Sequence, residues 1–151
     1  MIYGFTGPRD GMTGRQVDKV GMVLAGESPW PPAIAVHHGD CKGSDAQFHA
    51  VATGLRWSRD VWRVIHPPTY GGLRAGCVGD EIRPVKDYLT RNRNIVDECT
   101  ALVAAPNIGP QRGHRSGTWY TIRYAAKMGR PTMLIWPDGR VEYRGPNVGD
   151  T

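Results

Sequence analysis

The sequence offers little cysteine chemistry. Its three cysteines, Cys41, Cys77 and Cys99, stand far apart and form no C-x-x-C pair, which excludes a paired-thiol redox motif and fits a reducing compartment. No short-range Cys/His pair precedes another, and the adjacent His37 and His38 point to opposite sides of a strand. A metal site is therefore not expected, nor is a bound cofactor. No apolar run approaches bilayer length, and the first residues show neither a basic region nor an apolar h-region. A soluble, cytoplasmic protein is expected, with no membrane partner. Internal repeats, low-complexity tracts and interdomain linkers are also missing. The 151 residues read as a single domain, 1–151, long enough to bury a proper core.

What is present is positive charge. Nineteen Lys and Arg against fourteen Asp and Glu give a formal net charge of +5, which favours an anionic partner. The positive charges are dispersed through the chain rather than gathered in a tail, which suits a pocket better than a nucleic-acid-coating arm.

Taken in order, Met1 to Phe5 reads as a buried first strand ending in the turn Thr6-Gly7-Pro8-Arg9. A helix is predicted over Gly14 to Leu24, with Thr13 as its N-cap. Ala33 to His37 is the second strand, followed by the Gly-rich turn Gly39 to Asp45 and a helix over Ala46 to Leu55. The buried stripe of that helix is Phe48, Val51 and Leu55. Val61 to Ile65 alternates as a third strand. Thr69 to Arg83 is Gly-rich and irregular, long for a connection in a compact domain, and reads as a lid or substrate loop or as a locally mobile segment. A helix over Val85 to Glu98 opens near Pro84, and Ala101 to Ala105 is the fourth strand. Asn107 to Arg115 is a second basic loop, leading to a helix over Thr118 to Met128 that stops at Gly129-Arg130-Pro131. Thr132 to Trp136 is the fifth strand, Arg140 to Arg144 a short final one, and the last residues a frayed end. Strands alternating with helices predict an α/β fold, a Rossmann-like three-layer sandwich with a mostly parallel central sheet. Ligands in such sheets bind beyond the carboxyl ends of the strands, where the Gly-rich turns and basic loops fall here.

Four segments carry the candidate chemistry. Thr6, Gly7, Pro8 and Arg9 can present backbone N–H groups and a guanidinium to a phosphate, or can be an ordinary turn. In Gly39, Asp40, Lys42, Gly43, Ser44 and Asp45, glycines admit a close ligand, Lys42 supplies a point charge and Asp45 can accept from a hydroxyl or base. The bland alternative is that Ser44 or Asp45 caps the helix. The order of residues is not that of a Walker A loop. Arg91, Asn92, Arg93 and Asn94 form a basic, amide-rich helix start in which Arg91 and Asn94 share a face and Arg93 points elsewhere. Arg115, Ser116, Gly117 and Thr118 open the next helix as an anion nest. His114 reads as polar surface, and Cys41 lacks an adjacent base and so is not read as a nucleophile. The tryptophans, Trp30, Trp57, Trp62, Trp119 and Trp136, read as packing residues, with Trp119 the one candidate for stacking on a base.

The series T-G-P-R, G-D-C-K-G-S-D, R-N-R-N-I-V and S-G-T, spread over nearly the whole chain, resembles the SLOG superfamily. These are Rossmann-like proteins related to DNA-processing protein A and to the "lonely guy" phosphoribohydrolases. The nearest resemblance is to its YspA/YpsA-related branch of small bacterial and phage proteins. It implies a nucleotide-type pocket lined by Gly39 to Asp45 and by Ser116-Gly117-Thr118, with Arg91 and Arg93 carried into it, and a homo-oligomer. The phosphoribohydrolase pattern P-G-G-x-G-T-x-x-E is not kept, because Thr121 stands where the glutamate belongs. Hydrolysis would need another acid, with Asp45, Asp97 and Glu98 as candidates and Asp45 the first of them.

The expectation is thus a protein that binds a nucleotide or nucleotide-derived phosphorylated ligand, as sensor, sequestering or accessory protein. Two alternatives stand beside it. One is a nucleotide N-glycosidase releasing free base from a nucleoside monophosphate. The other is single-stranded DNA binding, with strong salt dependence.

Overall fold

The computed structural model describes residues 1–55, 59–69 and 71–148; Trp57 and the last three residues lie outside that description. Its strands are β1 (Ile2–Thr6), β2 (Ala35–His38), β3 (Trp62–Ile65), β4 (Glu81–Ile82), β5 (Ala101–Ala104), β6 (Thr132–Ile135) and β7 (Val141–Arg144). The helices are α1 (Gly14–Ala25), α2 (Ser44–Leu55), α3 (Tyr88–Glu98) and α4 (Gly117–Lys127). One sheet runs β4-β3-β2-β1-β5-β6-β7, with every pair parallel except β6 and β7. This is the expected Rossmann-like α/β sandwich.

The two-residue period of the strands sorts the core into two faces. Tyr3, Phe5, Val36, Val103, Met133 and Ile135 pack under α1 and α2 against Val20, Leu24 and Phe48. Leu102, Ala104 and Leu134 face the other way, against Val96, Trp119 and Ile122 of α3 and α4. Phe5 and Phe48 stack with ring centroids 4.3 Å apart, which fixes α2 over the central strand. Thr13 caps α1 as expected, in a capping box with Gln16. The buried Gln16 amide then donates to Pro106 O at 3.1 Å and Ile135 O at 2.9 Å, holding the carboxyl ends of β5 and β6 in place.

From β1 the chain builds outward through β2, β3 and β4, then returns to β5 on the other side of β1. The topological switch point is therefore the crevice between the carboxyl ends of β1 and β5.

Three expectations are corrected. Residues 71–83, expected to be irregular, carry regular structure. They hold a turn of 3-10 helix at Gly71–Leu73 and the edge strand β4, whose flanking N–H groups (Asp80, Arg83) donate to Arg63 O and Ile65 O. A two-residue strand has no periodicity to read. Helix α3 begins at Tyr88 rather than Val85, because the Asp87 carboxylate accepts from Thr90 N–H at 3.1 Å and caps it there. Trp62 is 45 % exposed rather than packed. No helix among the described residues is long and apolar enough to cross a membrane.

Candidate functional site

At the switch point lies a cavity of about 400 Å³. The β1 turn lines it with Gly7, Pro8, Arg9 and Asp10, and the β5 end with Pro106 and Asn107. Its third wall is the start of α4, Arg115 to Trp119, and its floor includes Tyr88 from the start of α3. Ser116 is the N-cap of α4: its hydroxyl accepts from Trp119 N–H at 3.1 Å. The N–H groups of Gly117 and Thr118 have no carbonyl within the helix to meet, so they give the wall a positive end. Arg9 and Arg115 are exposed, and the lining carries one carboxylate, Asp10.

A narrow recess with space for about one water adjoins this cavity and shares Gly7, Arg9 and Tyr88 with it. Thr6, Gly39, Cys41, Asp45, Arg91 and Asn92 line the recess. The Tyr88 ring carries guanidinium groups from both spaces, Arg9 at 5.4 Å and Arg91 at 4.7 Å from its centroid.

Arg91 is buried and heavily engaged. It donates to Gly39 O, to His66 O at 3.2 Å and to Asn92 Oδ1 at 2.8 Å. Gly39 is needed for this approach, since a Cβ there would fall 2.2 Å from the guanidinium nitrogen. Asp45, also buried, accepts from Cys41 N–H at 3.1 Å. Burial drives its pKa from 3.8 to about 6, against the opposing pull of Arg91. Burial likewise raises the Cys41 thiol, which keeps it protonated rather than nucleophilic.

Several expected site residues make their contacts away from the cavity. Asp40, fully buried at φ +56°, binds Cys77 N–H at 2.8 Å and Arg74 Nε at 3.0 Å. Burial alone would raise its pKa, but these hydrogen bonds outweigh that and lower it. It ties the 71–77 segment to the end of β2 instead of facing the cavity. Lys42 is exposed and lines neither the cavity nor the recess, while its N–H donates to Leu73 O. Gly43 and Ser44 grip the β1 turn, with Ser44 Oγ donating to Pro8 O at 2.6 Å. Arg93 turns to α4, where it donates to Tyr120 Oη at 3.1 Å and Thr90 Oγ1 at 3.2 Å. Asn94 borders a separate cavity beside His66 and Glu98. Arg91 and Asn94 lie about 60° apart around the helix and share a face as expected, yet they line different spaces, Arg91 the recess and Asn94 this second cavity. Trp119 is not a stacker. It is 2 % exposed, with its indole N–H donating to Ile108 O at 2.9 Å. Thr121 is buried and donates to Gly117 O at 2.8 Å.

Tyr88, Asp10, Pro106 and Asn107 are the cavity-lining residues that sequence reasoning missed. Tyr88 carried a signal, an aromatic at a helix start just before the Arg-Asn pair; Asp10 and Asn107 carried none beyond following strands.

No family model matches the sequence, and no curated protein sequence matches it. The X-ray structure of TM1055, a structural-genomics target, is similar in fold, with a TM-score of 0.53 and 16 % identity. The likeness covers 87 % of this chain and 71 % of that one. At that identity it is a likeness of architecture alone, and it shows the chain to be a Rossmann-like α/β protein.

Proposed function

We propose that this protein binds a nucleotide or nucleotide-derived phosphorylated ligand in the switch-point cavity. The carrying observation is that cavity's wall: two first-turn N–H groups of α4 and the guanidinium groups of Arg9 and Arg115 around about 400 Å³ of space. A phosphate fits the α4 end, Asp10 suits the hydroxyls of a ribose, and the volume is that of a small-molecule site. Thermal melts against a panel of nucleoside mono-, di- and triphosphates test this. A ligand at about a hundred times its Kd stabilises the fold by about 2.7 kcal/mol. Arg9→Ala and Arg115→Ala should each weaken binding about tenfold, the value of one charge-assisted hydrogen bond. A panel that leaves the melting temperature unmoved sinks the proposal. The homo-oligomer implied by the SLOG resemblance belongs to the same proposal, and light scattering on the purified chain tests it.

One observation favours a second reading, nucleotide N-glycosidase. Asp45 borders the recess beside the cavity and holds its proton to a pH of about 6, which suits a general acid. Free base released from a nucleoside monophosphate by the wild type, and not by Asp45→Asn, would establish it. The same variant tests the electrostatics. The folded value, about 6, lies above the ordinary 3.8 expected of the unfolded chain. The stabilising contribution of the protonated form is therefore fully present below pH 4 and is lost as pH rises to 6. Two units make this about 3 kcal/mol. Between pH 4 and 6 the wild type should lose about that much stability relative to Asp45→Asn, read from urea melts across the range. Parallel curves would mean that burial does not raise this carboxyl. Single-stranded DNA binding is favoured by the net charge but by no structural feature among the described residues, and a salt series on an oligonucleotide tests it.

A further inference from the structure

On the α3 face of the sheet, three donor groups distant in sequence meet. His37 comes from β2, His66 follows β3, and Glu98 is the last residue of α3. Nδ1 of His37 lies 2.8 Å from Nε2 of His66. That Nε2 lies 3.1 Å from Oε2 of Glu98, which is itself 3.7 Å from His37 Nδ1. Both imidazoles are buried, while Glu98 is partly open to solvent. With both rings neutral, one N–H serves the His37–His66 contact, whichever ring carries it, and the Glu98 oxygen either shares that N–H or faces a ring lone pair. Hydrogen bonding therefore satisfies this triangle only in part.

A metal ion satisfies all of it. Zinc at about 2.0–2.1 Å from nitrogen and oxygen ligands in a tetrahedral site holds those ligands roughly 3.4 Å from each other. The triangle here averages close to that spacing, so shifts of a few tenths of an ångström would seat the ion. The supporting groups are also in place. Arg83 Nε donates to both oxygens of Glu98, to Oε1 at 3.2 Å and more weakly to Oε2 at 3.5 Å, which holds the carboxylate in place beside the imidazoles. In front lies a cavity of about 250 Å³, bordered by Arg83, Lys86, Asn94 and Asp97, which gives the ion an entry path and room for a fourth ligand.

A second cluster, His38, His49 and Cys77, is already committed to hydrogen bonds. Asp40 N–H donates to His38 Nδ1 at 3.0 Å, so the ring proton sits on Nε2 and is donated to His49 Nδ1 at 2.9 Å. A metal-ligating histidine needs the opposite arrangement, with its outer nitrogen donating. That cluster is a hydrogen-bond chain.

We propose that His37, His66 and Glu98 form a site for one divalent transition-metal ion, zinc by its donor set of two imidazoles and a carboxylate, with a fourth coordination position open to the adjoining cavity. The adjacent His37 and His38 thus serve opposite faces of the sheet, one in each cluster. The site does not depend on nucleotide binding and is tested without any nucleotide.

The full chain, freed of metal by chelation and dialysis, is titrated with cobalt(II) chloride and then with zinc. Visible d–d absorption of a low-symmetry cobalt site is expected, with its displacement by one equivalent of zinc. In calorimetry, His66→Ala and Glu98→Gln should raise the zinc Kd about a hundredfold or more, above the 10–100-fold loss typical of an outer-shell partner. Cys77→Ser should leave it unchanged. Circular dichroism checks that each variant folds. Should His66→Ala fail, Glu98→Gln decides, because it alters a partly exposed side chain by one atom. The proposal is overturned by the absence of a cobalt spectrum, by unchanged zinc affinity in Glu98→Gln, or by loss of binding in Cys77→Ser.

Discussion

Replacing Gly43 with alanine is expected to cost the fold about 2–4 kcal/mol and to abolish whatever binds in the switch-point cavity. Two effects add. Gly43 sits at φ +86°, a left-handed conformation that costs an L-residue roughly 1–2 kcal/mol. Its Cβ would also land 2.0 Å from the Arg9 carbonyl oxygen, and backbone cannot swing aside as a side chain can. Overpacking of this kind costs about 1–3 kcal/mol, and the smaller entropy of the unfolded chain returns less than about 1. Nor can the Arg9 carbonyl retreat freely. Ser44 binds the neighbouring Pro8 carbonyl through both its hydroxyl, at 2.6 Å, and its N–H, at 3.3 Å. Relief of the clash must break this clasp and move Arg9, which is why ligand affinity falls with stability. Gly54→Ala is the control. That glycine lies in α2 with nothing within 4 Å of its virtual Cβ and no positive φ. There alanine should stabilise by up to about 1 kcal/mol. Urea melts of both variants check the contrast; a Gly43→Ala protein as stable as Gly54→Ala would mean that the two loops are not clasped.

Gly43 also shows how far the sequence could be read. Apart from β4, the order of strands and helices was legible because apolar runs, Gly/Pro turns and the Thr13 cap are local signals. So was the convergence of four segments at one edge, which follows from parallel α/β topology once the elements are placed. What each glycine is for was not legible. The sequence suggests that Gly39 and Gly43 admit a ligand; in the fold their missing Cβ atoms make room for Arg91 and for the Arg9 backbone. A glycine signals a close approach without naming what approaches. The same limit applies to the histidines. His37, His66 and Glu98 are separated by about thirty residues at each step and have no spacing rule. Only the registry of β2 against β3 and the packing of α3 bring them together. Arg93 and Asn94 show a third limit: a dense R-N-R-N run on a helix must distribute its side chains around the axis, and of the four only Arg91 and Asn92 are buried.

Arg91 decides whether this inward pair is scaffold or binding surface, and substitution separates the two. Arg91→Ala is expected to destabilise the protein by about 3–5 kcal/mol. It strips donors from the buried carbonyls of Gly39 and His66, at the ends of two neighbouring strands, and leaves a void against Tyr88. It also removes the positive charge that restrains Asp45, whose pKa should then climb beyond about 6. Arg91→Lys should recover only part of the loss, because one ammonium cannot reach both carbonyls and lie flat on the tyrosine ring. The electrostatic share can be isolated. Asp45→Asn removes the carboxylate that Arg91 faces, so Arg91→Ala should cost less in that background, by about 1 kcal/mol or more at pH 7. If Arg91→Ala instead melts within about 1 kcal/mol of the wild type, the guanidinium is not holding the strand ends together. Its position between Gly39, Tyr88 and the recess would then make it a reserve charge for a ligand reaching past Tyr88 toward Asp45. Large destabilisation combined with additivity in the Asp45→Asn background would assign the effect to the lost carbonyl bonds alone. Coupling assigns it to a buried charge pair at the edge of the cavity, where a ligand that displaces one partner must answer to the other.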